Sequence, residues 1–248
     1  SDFFALALTA RPGDKGTTAR GMGTYVYGQP VEGLGIRQYK YSTDMKVNPL
    51  TYADVSTPYM GFVGEVHYTG TIWTTILWDL YWNMVDRYGW SADIYNGTGG
   101  NNKAIQLVMD GLKLQKCSPG FIDSRDAILM ADSINNGGAN KGLIWRTFAR
   151  RGMGFSASQG LSSSCSDQVA AYDLPPSITG VSDVNSVFQS QIRIAPNPSS
   201  GQFTIMLPEN YQSAQVLLTD VTGKTIFNQS MNADDYGRLF VERTDLKT

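Results

Sequence analysis

The spacing of the apolar residues changes once along this chain of 248 residues, and that single change limits the folds open to it. Up to about Leu174, apolar side chains recur at helical intervals between long loops rich in Gly and Tyr. Beyond Gln191 they alternate, as in half-buried strands. The stretch from Asp173 to Gln191 shows neither period and carries Pro175-Pro176 among Ser, Val and Asp residues, the composition of a linker. The expected layout is a mainly α-helical unit over 1–173, a linker over 174–191 and a small antiparallel β-sandwich over 192–248. Two domains suit this length, and 42% hydrophobic against 17% charged residues leaves enough apolar surface for real cores.

Beyond an apolar helix at the start of the chain, four helices are expected. In Thr71 to Tyr88 the polar residues Thr75, Asp79, Asn83 and Asp86 follow i, i+4, i+8, i+11 spacing, one narrow stripe on a helix buried around most of its circumference. Asn101 to Leu114 places Ile105, Val108, Met109 and Leu112 on one face. Asp123 to Ile134 opens on a capping-type Asp, and Asn140 to Arg151 ends at Gly152. In the C-terminal part Phe203, Ile205 and Leu207 alternate with Gln202, Thr204 and Met206; Val216–Thr219, Thr225–Phe227 and Leu239–Val241 are further strands, with Thr222-Gly223 as a turn.

Several function classes drop out. A net charge of −2, with no basic run interleaved with aromatics, argues against nucleic acid as a partner. Asp79 and Asp86 interrupt the best candidate for a membrane span. His67 is the only histidine, so the chain cannot write H-E-x-x-H or assemble a His-rich zinc site by itself. The Gly97-Thr98-Gly99-Gly100-Asn101-Asn102-Lys103 loop lacks the Gly-Lys-Ser/Thr ending of a nucleotide loop and reads as a helix cap; Asp123 and Asp126 at a helix start read as capping and dipole compensation. Few Lys and Arg and much Gly, Ser, Thr, Asn and Tyr suit an exported protein. Cys117 and Cys165 could form one disulfide or remain two free thiols. Ser1-Asp2 runs without Met or signal peptide into an apolar helix, and the chain stops at Leu246-Lys247-Thr248 without a closing strand, so truncation at both ends is expected.

The strings Gly64-Glu65-Val66-His67, Trp73 to Leu80, Asp93 to Ala104, Gly120 to Leu129 and Gly154-Phe155-Ser156-Ala157-Ser158 together closely resemble the fungalysin family of secreted zinc metallopeptidases. The resemblance implies a mainly α-helical lobe of a thermolysin-like metallopeptidase domain, with zinc as cofactor and protein or peptide substrates. In that family the zinc-binding Glu lies in a Glu-Gly-Trp-Ser-Asp type string, which Ser1-Asp2 resembles at its tail. The implied zinc Glu sits just before residue 1, and the H-E-x-x-H helix further upstream. Asp2 matches the acceptor of a hydrogen bond from a zinc-bound His. His67 matches the histidine that stabilises the oxyanion of the tetrahedral intermediate. Arg37, in Gly35-Ile36-Arg37-Gln38-Tyr39, resembles the arginine that holds a substrate carbonyl beside the scissile bond. Where the family often has a cysteine before the Leu-Ile-Trp string, Gly142 stands here, which leaves Cys165 as the one partner for Cys117.

The tail Ile194-Ala195-Pro196-Asn197-Pro198-Ser199-Ser200-Gly201-Gln202-Phe203, with Val221-Thr222-Gly223-Lys224, resembles the C-terminal sorting domain read by type IX secretion machinery, although the usual Gly-x-Tyr strand and basic terminus are missing. The favoured expectation is part of a metalloendopeptidase, secreted or at the cell surface, inactive as these residues alone because the zinc ligands lie elsewhere. The alternative is a non-catalytic exported binding or scaffold protein that keeps the helical module.

Overall fold

A computed structural model describes residues 1–179, 192–196, 199, 201–207, 211–220 and 224–243. The chain divides into two compact units, Ser1–Gly180 and Val181–Thr248. Of the stretch expected to be a linker, 174–179 is described and includes a one-turn helix, Pro176–Thr179; the remainder lies outside the described residues.

The first unit is built on helices α1 (Asp2–Thr9), α2 (Val66–Tyr88), α3 (Gly100–Leu114), α4 (Phe121–Asn136) and α5 (Lys141–Arg150). Helix α2 begins five residues before the expected Thr71, because the side chain of Glu65 accepts the Tyr68 N–H and caps the first turn. It stops at Gly89, whose φ of 75° lies in the region that favours glycine. Ile72, Ile76, Leu80 and Met84 form its fully buried face, each such side chain contributing about 1.5–3 kcal/mol on leaving water. Phe3 meets Tyr81 edge to face and packs α1 onto α2.

The polar stripe of α2 is itself buried over Thr75 and Asp79, and it is satisfied from elsewhere in the chain. Asn48 donates to Thr75 Oγ1, Asn83 donates to Thr147 Oγ1, and Arg150 and Arg151 both reach the Asp79 carboxylate. Arg151 also donates to the carbonyls of Ser42, Asn48 and Leu50. One buried guanidinium thereby ties the irregular segment between α1 and α2 to the helical core, satisfying carbonyls that no helix or sheet would reach.

Helix α3 differs from expectation in its face. Ala104, Leu107, Val108 and Gly111 are buried, while Met109 and Leu112 remain 40% and 47% exposed. Small residues set this orientation. A Cβ on Gly100 would lie 2.0 Å from the Met84 carbonyl oxygen, and one on Gly111 would lie 2.8 Å from Ile128 Cγ1. Helix α3 therefore approaches α2 and α4 through its glycines, which hydrophobic spacing cannot register. Helix α4 starts at Phe121, before Asp123, whose carboxylate accepts the Gly120 N–H from the third position, and its expected core residue Ile134 is exposed. Helix α5 ends close to the expected place, with Gly152 at φ 86°.

The second unit holds strands β1 (Arg193–Ala195), β2 (Gln202–Met206), β3 (Ser213–Thr219), β4 (Thr225–Asn232) and β5 (Arg238–Glu242). They form an antiparallel sheet of order β1-β2-β5 and an antiparallel pair β3-β4. Phe203, Leu239 and Val241 from the first sheet share a small core with Val216 from the second. This is the expected sandwich, with β4 longer because it pairs with β3 along its length; the turn at Thr222-Gly223 lies outside the described residues.

Candidate functional site

Asp2 and Arg37, expected to act separately, are bonded to each other. Arg37 Nε donates to Asp2 Oδ2 at 2.7 Å and Nη2 donates to Oδ1 at 3.0 Å, the parallel two-bond geometry that a guanidinium makes with a carboxylate. The Tyr41 hydroxyl donates to Oδ2 at 2.7 Å. Helix α1 supplies the carboxylate from its first residue, and the segment leading to Tyr41 supplies both donors. Burial pushes the Asp2 carboxyl up, but the bonds from Arg37 and Tyr41 and the Arg37 charge outweigh it and hold the group below its ordinary range. Burial, then Asp2, pushes the Tyr41 phenol far up, so it stays a donor. Asp2 has a lone pair left on Oδ1 for one further donor, and Arg37 keeps Nη1 unspent by this pair.

His67 lies on the first turn of α2. Its Nδ1 is 2.6 Å from Glu65 Oε1, while Glu65 Oε2 caps the helix by accepting the Tyr68 N–H at 2.8 Å. One carboxylate thus fixes both the helix start and the imidazole. The contact with His67 first, and the Tyr68 N–H with it, holds the Glu65 carboxyl below its ordinary range. The His67 side chain is 68% exposed, and Nε2 is the nitrogen left for a ligand.

Thr71, one turn beyond His67, donates its hydroxyl to the His67 carbonyl at 2.7 Å. Sequence reading passed over Tyr41 and Thr71, because a tyrosine among thirteen and a threonine inside an apolar helix carry no signal of their own. Glu65 could have been found as an N-cap carboxylate two positions before the lone His.

The other candidates are structural. Asp93 Oδ1 accepts the Tyr95 and Asn96 N–H groups and Asn101 bonds both ways to the Ser91 backbone, so the Gly97–Lys103 loop is closed on itself. Asp123 caps α4 and pairs with Lys116, and Asp126 pairs with Arg125. Cys117 and Cys165 are free cysteines here, Cys117 exposed and Cys165 packed against Gly64 beside the Glu65 cap. Among the described residues no three His, Cys, Asp or Glu side chains gather as a metal donor set, and no helix is long and apolar enough to cross a membrane.

Comparison with known proteins gives two family matches. Residues 1–157 match the family described as fungalysin metallopeptidase (M36), and residues 193–242 match that described as a secretion system C-terminal sorting domain. Among curated proteins, the chain is 43% identical over 162 residues to extracellular metalloproteinase MEP of Neosartorya fischeri, covering 63% of this chain and 24% of that protein. It is 41% identical over 180 residues to extracellular metalloproteinase 2 of Arthroderma gypseum, covering 70% and 26%. An extracellular metalloproteinase of Pyrenophora tritici-repentis is 38% identical over 207 residues, covering 81% and 29%. The chain spans about a quarter of the length of these relatives.

Proposed function

The chain belongs to the fungalysin metallopeptidase family, and on that premise we propose that it supplies the transition-state-stabilising side of a secreted, zinc-dependent endopeptidase. Zinc, when bound, would polarise the scissile carbonyl and activate a water. Among the described residues no donor set fits that ion, and the chain spans about a quarter of the length of the relatives it matches.

The observation that carries the reading is the 2.6 Å contact between Glu65 and His67. With Nδ1–H given to Glu65, Nε2 bears a proton only in the imidazolium form. A protonated Nε2 on an exposed turn donates to an oxyanion as it develops on the tetrahedral carbon, a contact stronger in the transition state than in the substrate. Arg37, oriented by Asp2, offers Nη1 to a substrate carbonyl next to the scissile bond. Asp2, through its remaining lone pair, would accept the N–H of an imidazole of the kind that holds zinc, while its two other bonds keep the Arg37 arm in place. The unit matching the sorting domain directs export through secretion machinery, with 174–191 as the joint between the two.

In the complete enzyme His67→Ala is expected to lower kcat on the order of 100-fold to 1,000-fold while KM changes little. Steady-state kinetics with zinc content measured in parallel reads this, and an unchanged kcat in a zinc-replete variant would remove His67 from the mechanism. The 248-residue chain alone is expected to hold no stoichiometric zinc after dialysis against a mild chelator, and to cleave no casein.

A further inference from the structure

The single glycine inside α2, Gly70, has no packing reason to be one. A Cβ added at Gly100 or Gly111 would strike a neighbouring helix, whereas one at Gly70 would meet no neighbour within 4 Å. Gly70 is exposed, and glycine weakens a helix interior relative to alanine. What its bare backbone leaves in return is room. Gly70 lines a cavity of about 400 Å³ between the first turns of α2 and the start of α4, a volume in the range of small-ligand pockets.

The cavity is apolar in character. Val66, 74% exposed, lines it with Cys165 and with the half-buried rings of Trp73 and Phe121, which meet edge to face at 5.6 Å. Among the described residues no charged side chain lines it. Val66, Gly70 and Trp73, at i, i+4 and i+7, form one stripe of α2, and His67 begins the stripe beside it. His67 and Gly70, three residues apart, are neighbours on the helix surface at about 5–6 Å.

That placement names the occupant. On the reading of His67 given above, on which this inference rests, the scissile carbonyl lies at Nε2. An extended peptide advances about 3.3–3.6 Å per residue, so a side chain two or three positions from the scissile bond reaches Gly70. Aromatic walls without charge favour an apolar side chain over a polar one, which would leave water without regaining its hydrogen bonds. We propose that this cavity is a substrate subsite selecting a large apolar residue two or three positions from the scissile bond, with Gly70 and Val66 as its specificity-determining residues.

The test uses the complete enzyme and a set of internally quenched peptides that share one scissile pair. They carry Phe or Ser, in turn, at the second or third position on either side of it. At one of these positions kcat/KM for Phe is expected to exceed that for Ser on the order of tenfold to a hundredfold. Gly70→Met, which fills the cavity, is expected to abolish that preference without lowering the melting temperature, because the new side chain enters open space. Val66→Ser, at a side chain already exposed, is expected to reduce the preference as well, and it decides the matter if Gly70→Met folds poorly. His67→Ala is expected to lower kcat for both members of a pair and to leave their ratio in place. Equal kcat/KM for Phe and Ser at all four positions, or a ratio unchanged in both Gly70→Met and Val66→Ser, overturns the subsite and leaves the His67 reading to its own kinetics. An unchanged kcat in His67→Ala, with the preference still abolished by Gly70→Met, removes that reading and keeps the subsite.

Discussion

Asp79 and Arg151, 72 positions apart in sequence, form an ion pair at 2.8 Å with side-chain exposures of 1% and 0%. Removing one member of such a pair strands the other charge out of water. Asp79→Ala is therefore expected to destabilise the N-terminal unit by about 3–5 kcal/mol, read as a fall in urea midpoint at unchanged slope. Lys113→Ala, which breaks an exposed pair with Asp110, is expected to cost about 1 kcal/mol or less in the same assay.

Gly100→Ala should destabilise by about 1–3 kcal/mol, because the new methyl would sit 2.0 Å from the Met84 carbonyl and force α3 away from α2. Ala is ordinarily the better helix former, so a neutral or higher melting temperature would show that the two helices are not closely apposed there.

Acid stability tests the Asp2 cluster. The Asp2 carboxyl is held below its ordinary 3.8 in the folded chain, so its contribution is fully present above that value and is lost as pH falls through the lower folded one. Asp2→Asn is expected to flatten the stability profile in that acid window, with little change in its slope near neutrality. Tyr41→Phe, which removes a buried donor to a charged acceptor, is expected to cost on the order of 1.5–3 kcal/mol by thermal denaturation near neutral pH.

Glu65→Gln separates the two duties of that side chain. Glutamine still accepts the Tyr68 N–H, so the helix content of the unit should hold by circular dichroism. The charged contact that orients the His67 ring is gone, and kcat of the complete enzyme is expected to fall on the order of 10-fold to 100-fold with a smaller change in KM. Full activity in this variant would detach Glu65 from the mechanism.

Limited proteolysis bears on the domain layout. First cuts are expected within 174–191, releasing a helical and a β fragment. Early cleavage within α2 would contradict the burial of that helix.

Much of the architecture was legible because it rests on period. The switch from helical spacing to alternation divides the chain, and Phe203, Leu239 and Val241 enter the β core as their alternation requires. What could not be read was pairing over long separations. The stripe of Thr75, Asp79 and Asn83 has helical spacing whether it faces water or a buried guanidinium, and nothing local to Asp79 points to Arg151. The face of α3 was missed because glycines at Gly100 and Gly111 permit an approach that a hydrophobicity pattern scores as empty. At the candidate site His67 stood out by being alone, and Arg37 and Asp2 by resemblance. Their mutual bond, and the third bond that Tyr41 gives Asp2, exist only in three dimensions.

His67 and Asp79 ride on the same unbroken helix, twelve residues or roughly 18 Å apart along its axis. The imidazole is wet and outward, yet the rod that bears it is clamped just past its middle by an ion pair that water does not reach. Aim at the surface is thus set by anchorage in the interior, as a needle's bearing is set by its pivot. Substitutions around Arg151 that leave the molecule folded would still be felt as a change in the aim of the His67 ring, so remote core positions are where the placement of this exposed group is open to evolutionary adjustment.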